Sequence, residues 1–261
     1  MVLTHNIDHS EIAIGEVSGG ANTSHTILFP ALRTLLNEVP YAAPASAYEQ
    51  MALSANLLGK SSEEARRRNY RYLRELYVLD PGSLLFRALR DLWTDDTQAQ
   101  PLLAGLCALA RDSVFRASAD KILGTSPGDE VSSADLASAV GDRFPDSYSP
   151  GTLAKIGRNT FSSWEQTGHL ASSGLKVKTR TRAICKPSNV AFALMLAHLQ
   201  GVRGQALFES LWARALDHPK SHLYDLAHAA SQRGLMGFRH AGGVIEVTFD
   251  ELLRPFEGRL Q

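Results

Sequence analysis

The chain is organised around one stretch, Ser147 to Lys186, in which helical periodicity gives way to strand periodicity. Ser149 followed by Pro150 predicts a helix start, because a serine hydroxyl can cap a free backbone N–H and proline suits the first helical position. Apolar side chains then recur at helical spacing and form one face of this helix. The opposite face carries polar side chains: Lys155, Arg158, Asn159, Ser162 and Gln166.

After Gly168 the period of the pattern changes to two. Strand-forming residues alternate with four cations, Lys176, Lys178, Arg180 and Arg182. The alternation predicts a two-stranded ribbon with one wholly positive face. The charge is local, since the stretch has seven Lys or Arg and one acid, whereas the whole chain has 27 residues of each sign.

A helix lined with hydrogen-bond donors and followed by a basic hairpin is typical of a winged helix-turn-helix. In that motif the helix enters a groove of double-stranded DNA and the wing neutralises phosphates beside it. The five polar helix residues would face the groove, where Asn and Gln can read adenine edges and Arg or Lys can read guanine. The competing interpretation is a solvated helix and an exposed basic hairpin with no ligand.

A second candidate DNA-binding helix lies earlier in the chain. A short helix over Ser46 to Leu53 is followed by a turn, and Ser61 is expected to cap a longer helix with Glu64 closing a capping box. One face of that longer helix carries Arg67, Arg71 and Arg74. Short helix, turn and longer basic helix is the helix-turn-helix layout, although a three-helix core with solvated arginines gives the same pattern.

The expected fold class is mainly α: a helical bundle with a helix-turn-helix N-terminal domain and a winged-helix-like C-terminal half that carries short β-hairpins. Residues 1–25 are expected to form a flexible arm, 26–124 the first domain, 125–253 the winged-helix-like region and 254–261 a tail. The segment GTSPGDE marks the internal boundary, because it is rich in turn formers. Pro101 to Leu123 is predicted as one apolar helix. A last helix and a hairpin turning at Gly242-Gly243 repeat the helix-and-ribbon layout with less positive charge.

Composition favours a globular protein that stays in the cytoplasm. The longest nearly apolar run, Val190 to Leu199, is well short of the ~20 residues that a membrane-spanning helix requires. The N-terminus lacks the basic start and apolar core of a signal peptide. Cys107 and Cys185 are too few and too scattered for a disulfide framework or a cysteine-based zinc site, and both are expected to be reduced.

The sequence predicts no enzyme, cofactor or metal site. Ser54 to Ser61 ends like a phosphate-binding P-loop, but its first glycine is replaced by serine and no strand precedes it. His218, His222 and His228 lie close in sequence without the spacing of a metal-ligand motif. We therefore expect a binding protein.

The order of these features resembles the BrxA family of BREX phage-defence systems. The matching pieces are SEEARRRNYRYLRELYVLDPGSLLFRALRDLW, PLLAGLCALARDSVFRASADKIL, YSPGTLAKIGRNTFSSWEQTGHL and the final helix with its hairpin, which together cover most of residues 26–253. The resemblance implies a small helical, non-enzymatic protein that binds double-stranded DNA beside other defence-system proteins. The chain departs from the family pattern in its length, its glycine-rich N-terminal arm and its more extended basic ribbon.

Two other kinds of partner remain open at this point. A protein-interaction adaptor would use the winged units as assembly surfaces and dock the ribbon on an acidic protein, and the net charge of zero favours it. RNA is a third candidate ligand, although the sequence has no RNP-like aromatic strand and no GXXG clamp.

Overall fold

The computed structural model describes residues 19–172 and 177–255, and this part of the chain is mainly helical, as predicted. Its helices are α1 Phe29–Glu38, α2 Ala45–Leu53, α3 Glu63–Tyr77, α4 Leu84–Trp93, α5 Gln100–Arg111, α6 Ser113–Ala117, α7 Ala119–Gly124, α8 Ser133–Arg143, α9 Pro150–Gln166, α10 Pro187–Leu199, α11 Leu211–Arg214 and α12 Lys220–Gln232. Its strands are β1 Glu130–Ser132, β2 Leu170–Ser172, β3 Val177–Arg180, β4 Gly237–Ala241 and β5 Val244–Thr248. None of the described helices is both long and apolar enough to cross a bilayer.

The strands form two small antiparallel sheets. The first has the order β1-β3-β2, with Val131 opposite Lys178 on one side and Ala171 opposite Thr179 on the other. The predicted two-stranded ribbon is thus part of a three-stranded sheet, with β3 as its central strand and β2 at one edge. The second sheet is the hairpin β4–β5, and both glycines at its turn have the positive φ that a tight hairpin requires.

The predicted helix over Pro101 to Leu123 is three helices, α5, α6 and α7. The break comes at Asp112, whose backbone is extended and whose Oδ1 accepts the backbone N–H of Phe115, capping α6. Oδ2 of the same carboxylate accepts the backbone N–H and the side-chain amide of Asn22, 90 residues earlier in the chain. A contact this distant leaves no trace in local periodicity.

One main core runs through the whole described chain. Its centre is α10, which is buried almost all round and packs against α4, α5 and α12. The core cluster contains side chains from both sides of residues 124–130. In the structure this segment is a turn that leads into β1, and the side chains before and after it share one core.

Part of the predicted N-terminal arm belongs to this core. Residues 1–18 lie outside the described residues, but Ala21 and Asn22 form a short 3₁₀ turn and are buried. At the other end, Arg254, which the sequence placed in the tail, forms a bidentate ion pair with Asp91 of α4.

The guanidinium of Arg180 is fully buried and joins four parts of the fold. It donates hydrogen bonds to the carbonyl oxygens of Ile122, His169 and Thr181. Its Nη2 lies 2.9 Å from Oδ2 of Asp217, in an ion pair whose atoms are not aligned for a hydrogen bond. The structure corrects the prediction that Arg180 contacts phosphates, because the side chain has no exposed surface to offer.

His169 lies beside this arginine and is also fully buried. Its Nε2 is 3.0 Å from the carbonyl oxygen of Ala215, and its Nδ1 is 2.7 Å from the hydroxyl of Thr167. A carbonyl can only accept, so Nε2 carries the hydrogen and Nδ1 of the neutral ring is an acceptor that faces the threonine hydroxyl. The same hydroxyl lies 2.8 Å from the carbonyl oxygen of Trp164. Burial, followed by the charge of Arg180, lowers the pKa of His169 to about 3.

Replacing Arg180 with alanine should lower the free energy of unfolding by about 3–5 kcal/mol, because it leaves the Asp217 carboxylate without its cation and three carbonyls without a donor. Urea denaturation measures the change. Arg182→Ala, two residues further along and exposed, is the matched control and should stay within about 0.5 kcal/mol of the wild type. Equal losses in the two variants would contradict the role assigned to Arg180.

Stability should fall as the pH drops from 6 to 4. His169 binds a proton in the unfolded chain below pH 6.5 but stays neutral in the folded chain down to about pH 3, so the unfolded state binds more protons in this range. In this range His169 alone lowers the free energy of unfolding by about 1.4 kcal/mol for each pH unit of acidification. Unfolding measured at several pH values should give a shallower slope for His169→Gln than for the wild type; identical slopes would contradict the assignment.

Candidate nucleic-acid interface

Helix α9 is fixed at its start and along its buried face. The Ser149 hydroxyl accepts the backbone N–H of Thr152, which confirms the predicted cap. At Gly157 the helix backbone comes so close to α8 that an added Cβ would lie 2.2 Å from the carbonyl oxygen of Ser133. The indole of Trp164 donates a hydrogen bond to Ser118 from the other end of the buried face. These contacts hold α9 rigidly in the fold.

The solvent-facing side of α9 presents two of the predicted cations. Lys155 and Arg158 are exposed, and neither forms an ion pair with any of the described residues. Ser162 is half-buried one turn further along, on the same side of the helix. Between Gly151 and Ser162 this side spans about 17 Å at the rise of an α-helix.

Asn159 and Gln166, by contrast, hold another part of the chain. The Asn159 amide donates to the carbonyl oxygen of Asn22 at 3.0 Å, and the Gln166 side-chain oxygen accepts the backbone N–H of Phe29 at 2.9 Å. Reading adenine takes both the oxygen and the NH₂ group of such an amide, so neither residue can make the predicted bidentate contact. The structure corrects this part of the prediction.

The sheet next to α9 also differs from the predicted positive ribbon. Nζ of Lys178 lies 2.8 Å from a carboxylate oxygen of Glu165 and 4.1 Å from the centroid of the Phe161 ring. Its side chain is buried, like that of Arg180 two residues on. In β3 the cationic side of the strand therefore faces the protein, which is opposite to the prediction.

The other two ribbon cations have different positions. Lys176 lies outside the described residues, within 173–176 at the connection between β2 and β3. Arg182 is exposed, but it follows β3 and its charge acts on His218 near the start of α12.

Helix α3 carries the second predicted row of cations. Its cap is Ser62, one residue after the predicted Ser61, and Arg67, Arg71 and Arg74 are exposed as expected. Exposed ion pairs between residues four positions apart join Arg67 to Glu63, Arg68 to Glu64 and Arg71 to Glu75. In the described part of the chain Arg74 has no carboxylate partner; it lines a groove of about 500 Å³ together with Arg67, Arg71 and Arg111.

The segment between residues 20 and 29 joins α3 to α9. On one side it accepts the Asn159 hydrogen bond, and the Ile27 backbone N–H bonds the hydroxyl of Ser163. On the other, the ring of His25 lies 4.4 Å from that of Tyr72 in α3. The two helices therefore flank the same stretch of chain.

Cations from both helices act on His25. Partial burial lowers the pKa of His25, and the positive charges that lower it further come from Arg68, Lys155, Lys60 and Arg71 in that order. Three of these residues belong to α3 or the turn before it, and one belongs to α9. We call the exposed cations of α3 and α9 with Lys60 the composite basic face: Lys60, Arg67, Arg68, Arg71, Arg74, Lys155 and Arg158.

Comparison with protein-family models, curated proteins and solved structures finds no match to this chain. What the composite basic face binds must therefore follow from its own residues. Sequence reasoning identified both helices but treated them as rivals, and it missed His25 and Lys60. The packing of residues 20–29, whose hydrogen bonds to α9 span 136 or 137 positions, brings the two helices to one segment of chain.

The other sequence candidates do not form sites. Ser54 to Ser61 follows helix α2 where a P-loop would follow a strand, and Asn56 bonds the backbone of Lys60 on both its N–H and its carbonyl. The rings of His218 and His222 lie 4.8 Å apart, but no group of three or more His, Cys, Asp or Glu among the described residues could hold a metal ion.

Gly157→Ala should destabilise the protein by about 1–3 kcal/mol, because the new methyl group would collide with the Ser133 carbonyl and push α9 away from α8. Gly151→Ala in the first turn of the same helix is the matched control. A Cβ there meets nothing within 4 Å, so it should raise stability by up to about 1 kcal/mol through helix propensity. Thermal unfolding compares the two; a neutral Gly157→Ala would contradict the close packing.

Proposed function

We propose that this protein is a non-enzymatic, double-stranded DNA-binding protein that uses the composite basic face. The observation that carries the proposal is that the cations of α3 and α9 flank one segment of chain, residues 20–29. Two rows of cations on a shared face can neutralise more DNA phosphates than either row alone, and affinity rises with each phosphate contact. Six of its seven cations lie on regular helices, and Arg and Lys side chains suit phosphate contact.

The proposed motif around α9 is a winged helix. A helix, β1, α8, α9 and the β2–β3 hairpin follow one another, and the sheet order β1-β3-β2 has the first strand pairing with the last. In this layout α9 takes the position of the helix that enters the major groove. Its exposed length of about 17 Å is enough to cross a groove about 12 Å wide.

The proposed contacts favour phosphates over base edges. Asn159 and Gln166 are engaged within the protein, so adenine readout from α9 is lost. Arg158 is left as the side chain suited to guanine, with Lys155 beside it. We therefore expect weak sequence preference and a strong dependence of affinity on salt.

The glutamates on α3 do not prevent this role. The pairs Arg67–Glu63, Arg68–Glu64 and Arg71–Glu75 are exposed, and such pairs are worth well under about 1 kcal/mol in water. A DNA phosphate can replace the carboxylate as the partner of each arginine. The glutamates weaken the field of α3 without cancelling it.

On the resemblance to the BrxA family we propose that the protein acts in the cytoplasm as an accessory component of a bacterial phage-defence system. Other proteins of that system are then candidate partners. The support for this step is the sequence pattern of residues 26–253, whereas the support for DNA binding is the geometry of the composite basic face.

The double variant Lys155→Ala/Arg158→Ala should weaken duplex binding and flatten the plot of log affinity against log salt by about 1.8, since each lost phosphate contact contributes about 0.9. Arg71→Ala/Arg74→Ala should flatten the slope by the same amount through α3, and the quadruple variant should flatten it by about 3.6. Fluorescence anisotropy with a labelled duplex at several salt concentrations measures these slopes.

The matched control is Arg214→Ala/Arg239→Ala, which removes two exposed cations outside the composite basic face and should leave the slope unchanged. If only one of the two test pairs changes the slope, the face is not composite and DNA contacts a single helix. If the wild-type protein fails to bind duplex at micromolar concentration, the proposal is wrong.

A protein-interaction adaptor is the second candidate function, and the C-terminal helix and hairpin favour it. Val244 at the β4–β5 turn is 70% exposed, and the hairpin pairs Arg239 with Glu246 on its surface. Asp225 is exposed on α12. An apolar hairpin tip on a nearly neutral unit suits contact with another protein better than contact with DNA.

A further inference from the structure

A cavity of about 620 Å³ lies between the α1–α2 connection, α4 and the end of the described chain. Its walls are largely apolar and include Pro44, Pro81 and Phe86. This volume falls within the roughly 300–1,000 Å³ of small-molecule sites. None of the residues that line the cavity belongs to the composite basic face.

Three arginines also line this cavity, and Arg90 is the most informative of them. Its side chain is 6% exposed, and its two terminal nitrogens donate to the carbonyl oxygens of Leu36 and Val39. In the described part of the chain, no carboxylate lies within ion-pair distance of Arg90, and Nε has no hydrogen-bond partner. A buried cation is costly without an opposite charge.

Among the described residues, the carboxylate of Asp91 lies beside this cavity and already has partners. Asp91 is held by both terminal nitrogens of Arg254 and accepts the hydroxyl hydrogen of Tyr41. Since this carboxylate balances Arg254, no described carboxylate compensates the charge of Arg90 at the cavity wall. The ring of Tyr41, 5.8 Å from the Arg90 guanidinium, adds an aromatic surface at the rim.

We propose that this cavity binds a small organic anion with a flat apolar body, such as an aromatic carboxylate or sulfonate. The anionic group faces Arg90, and the apolar body packs against the prolines and Phe86. Apolar walls with one uncompensated buried cation match this chemistry and reject neutral or cationic molecules of the same shape.

The test uses two probes that differ in charge: 8-anilino-1-naphthalenesulfonate and its neutral analogue N-phenyl-1-naphthylamine. The sulfonate should bind one site per chain at least tenfold more tightly than the neutral analogue. Arg90→Gln should remove this preference by weakening only the sulfonate, whereas Arg90→Lys should keep it. Fluorescence titration gives both affinities.

A second pair of variants keeps the test decisive if Arg90→Gln fails to fold. Ala42 lines the cavity and is exposed, so Ala42→Glu places a negative charge at the mouth without disturbing the core. It should weaken the sulfonate about fivefold and spare the neutral analogue, and Ala42→Gln, of matched size, should change neither. Lys155→Ala/Arg158→Ala should also leave the sulfonate affinity unchanged.

The proposal is overturned if the sulfonate and the neutral analogue bind equally well to the wild type. It is also overturned if Ala42→Glu binds the sulfonate as Ala42→Gln does. A sulfonate affinity that depends on Lys155 and Arg158 would place the probe on the composite basic face and likewise refute the cavity site.

Discussion

The structure depends on the buried guanidinium of Arg180, because one side chain satisfies groups from four separate elements. It bonds carbonyls at the end of α7, after α9 and after β3, and it pairs with Asp217 before α12. A charge this deep is costly unless an opposite charge and hydrogen-bond acceptors surround it, as Asp217 and the three carbonyls do here. The Arg180 contacts therefore fix the sheet next to α9 and connect it to the C-terminal helix and hairpin.

A second polar network positions the N-terminal segment between α3 and α9. Asp112 binds Asn22, the hydroxyl of Ser163 donates to the Asn22 side chain, and Asn159 donates to its backbone. Burial raises the pKa of Asp112, and its hydrogen bonds oppose that shift. The network explains how α9 holds the segment that also packs against α3 through His25 and Tyr72.

Local sequence signals predicted the elements well but could not predict which side of β3 is buried. The cap at Ser149 and the buried face of α9 follow from periodicity and side-chain chemistry. Alternation in β3 correctly indicated two faces, yet Lys178 and Arg180 point inward. Their carboxylate partners, Glu165 and Asp217, come from other elements, so only the assembled fold decides which face is covered.

Because Lys178 and Arg180 point inward, the excess positive charge of residues 147–186 is larger in the sequence than on the protein surface. Lys178, Arg180 and Lys186 pair with carboxylates of Glu165, Asp217 and Asp96, so much of the local excess is neutralised within the protein. Only two cations of α9 remain exposed and unpaired. Two phosphate contacts give a salt slope of about 1.8, which is modest for a DNA-binding protein. The proposed function therefore needs α3 as well as α9, and the net neutrality of the chain is compatible with it because several acids are used inside the fold.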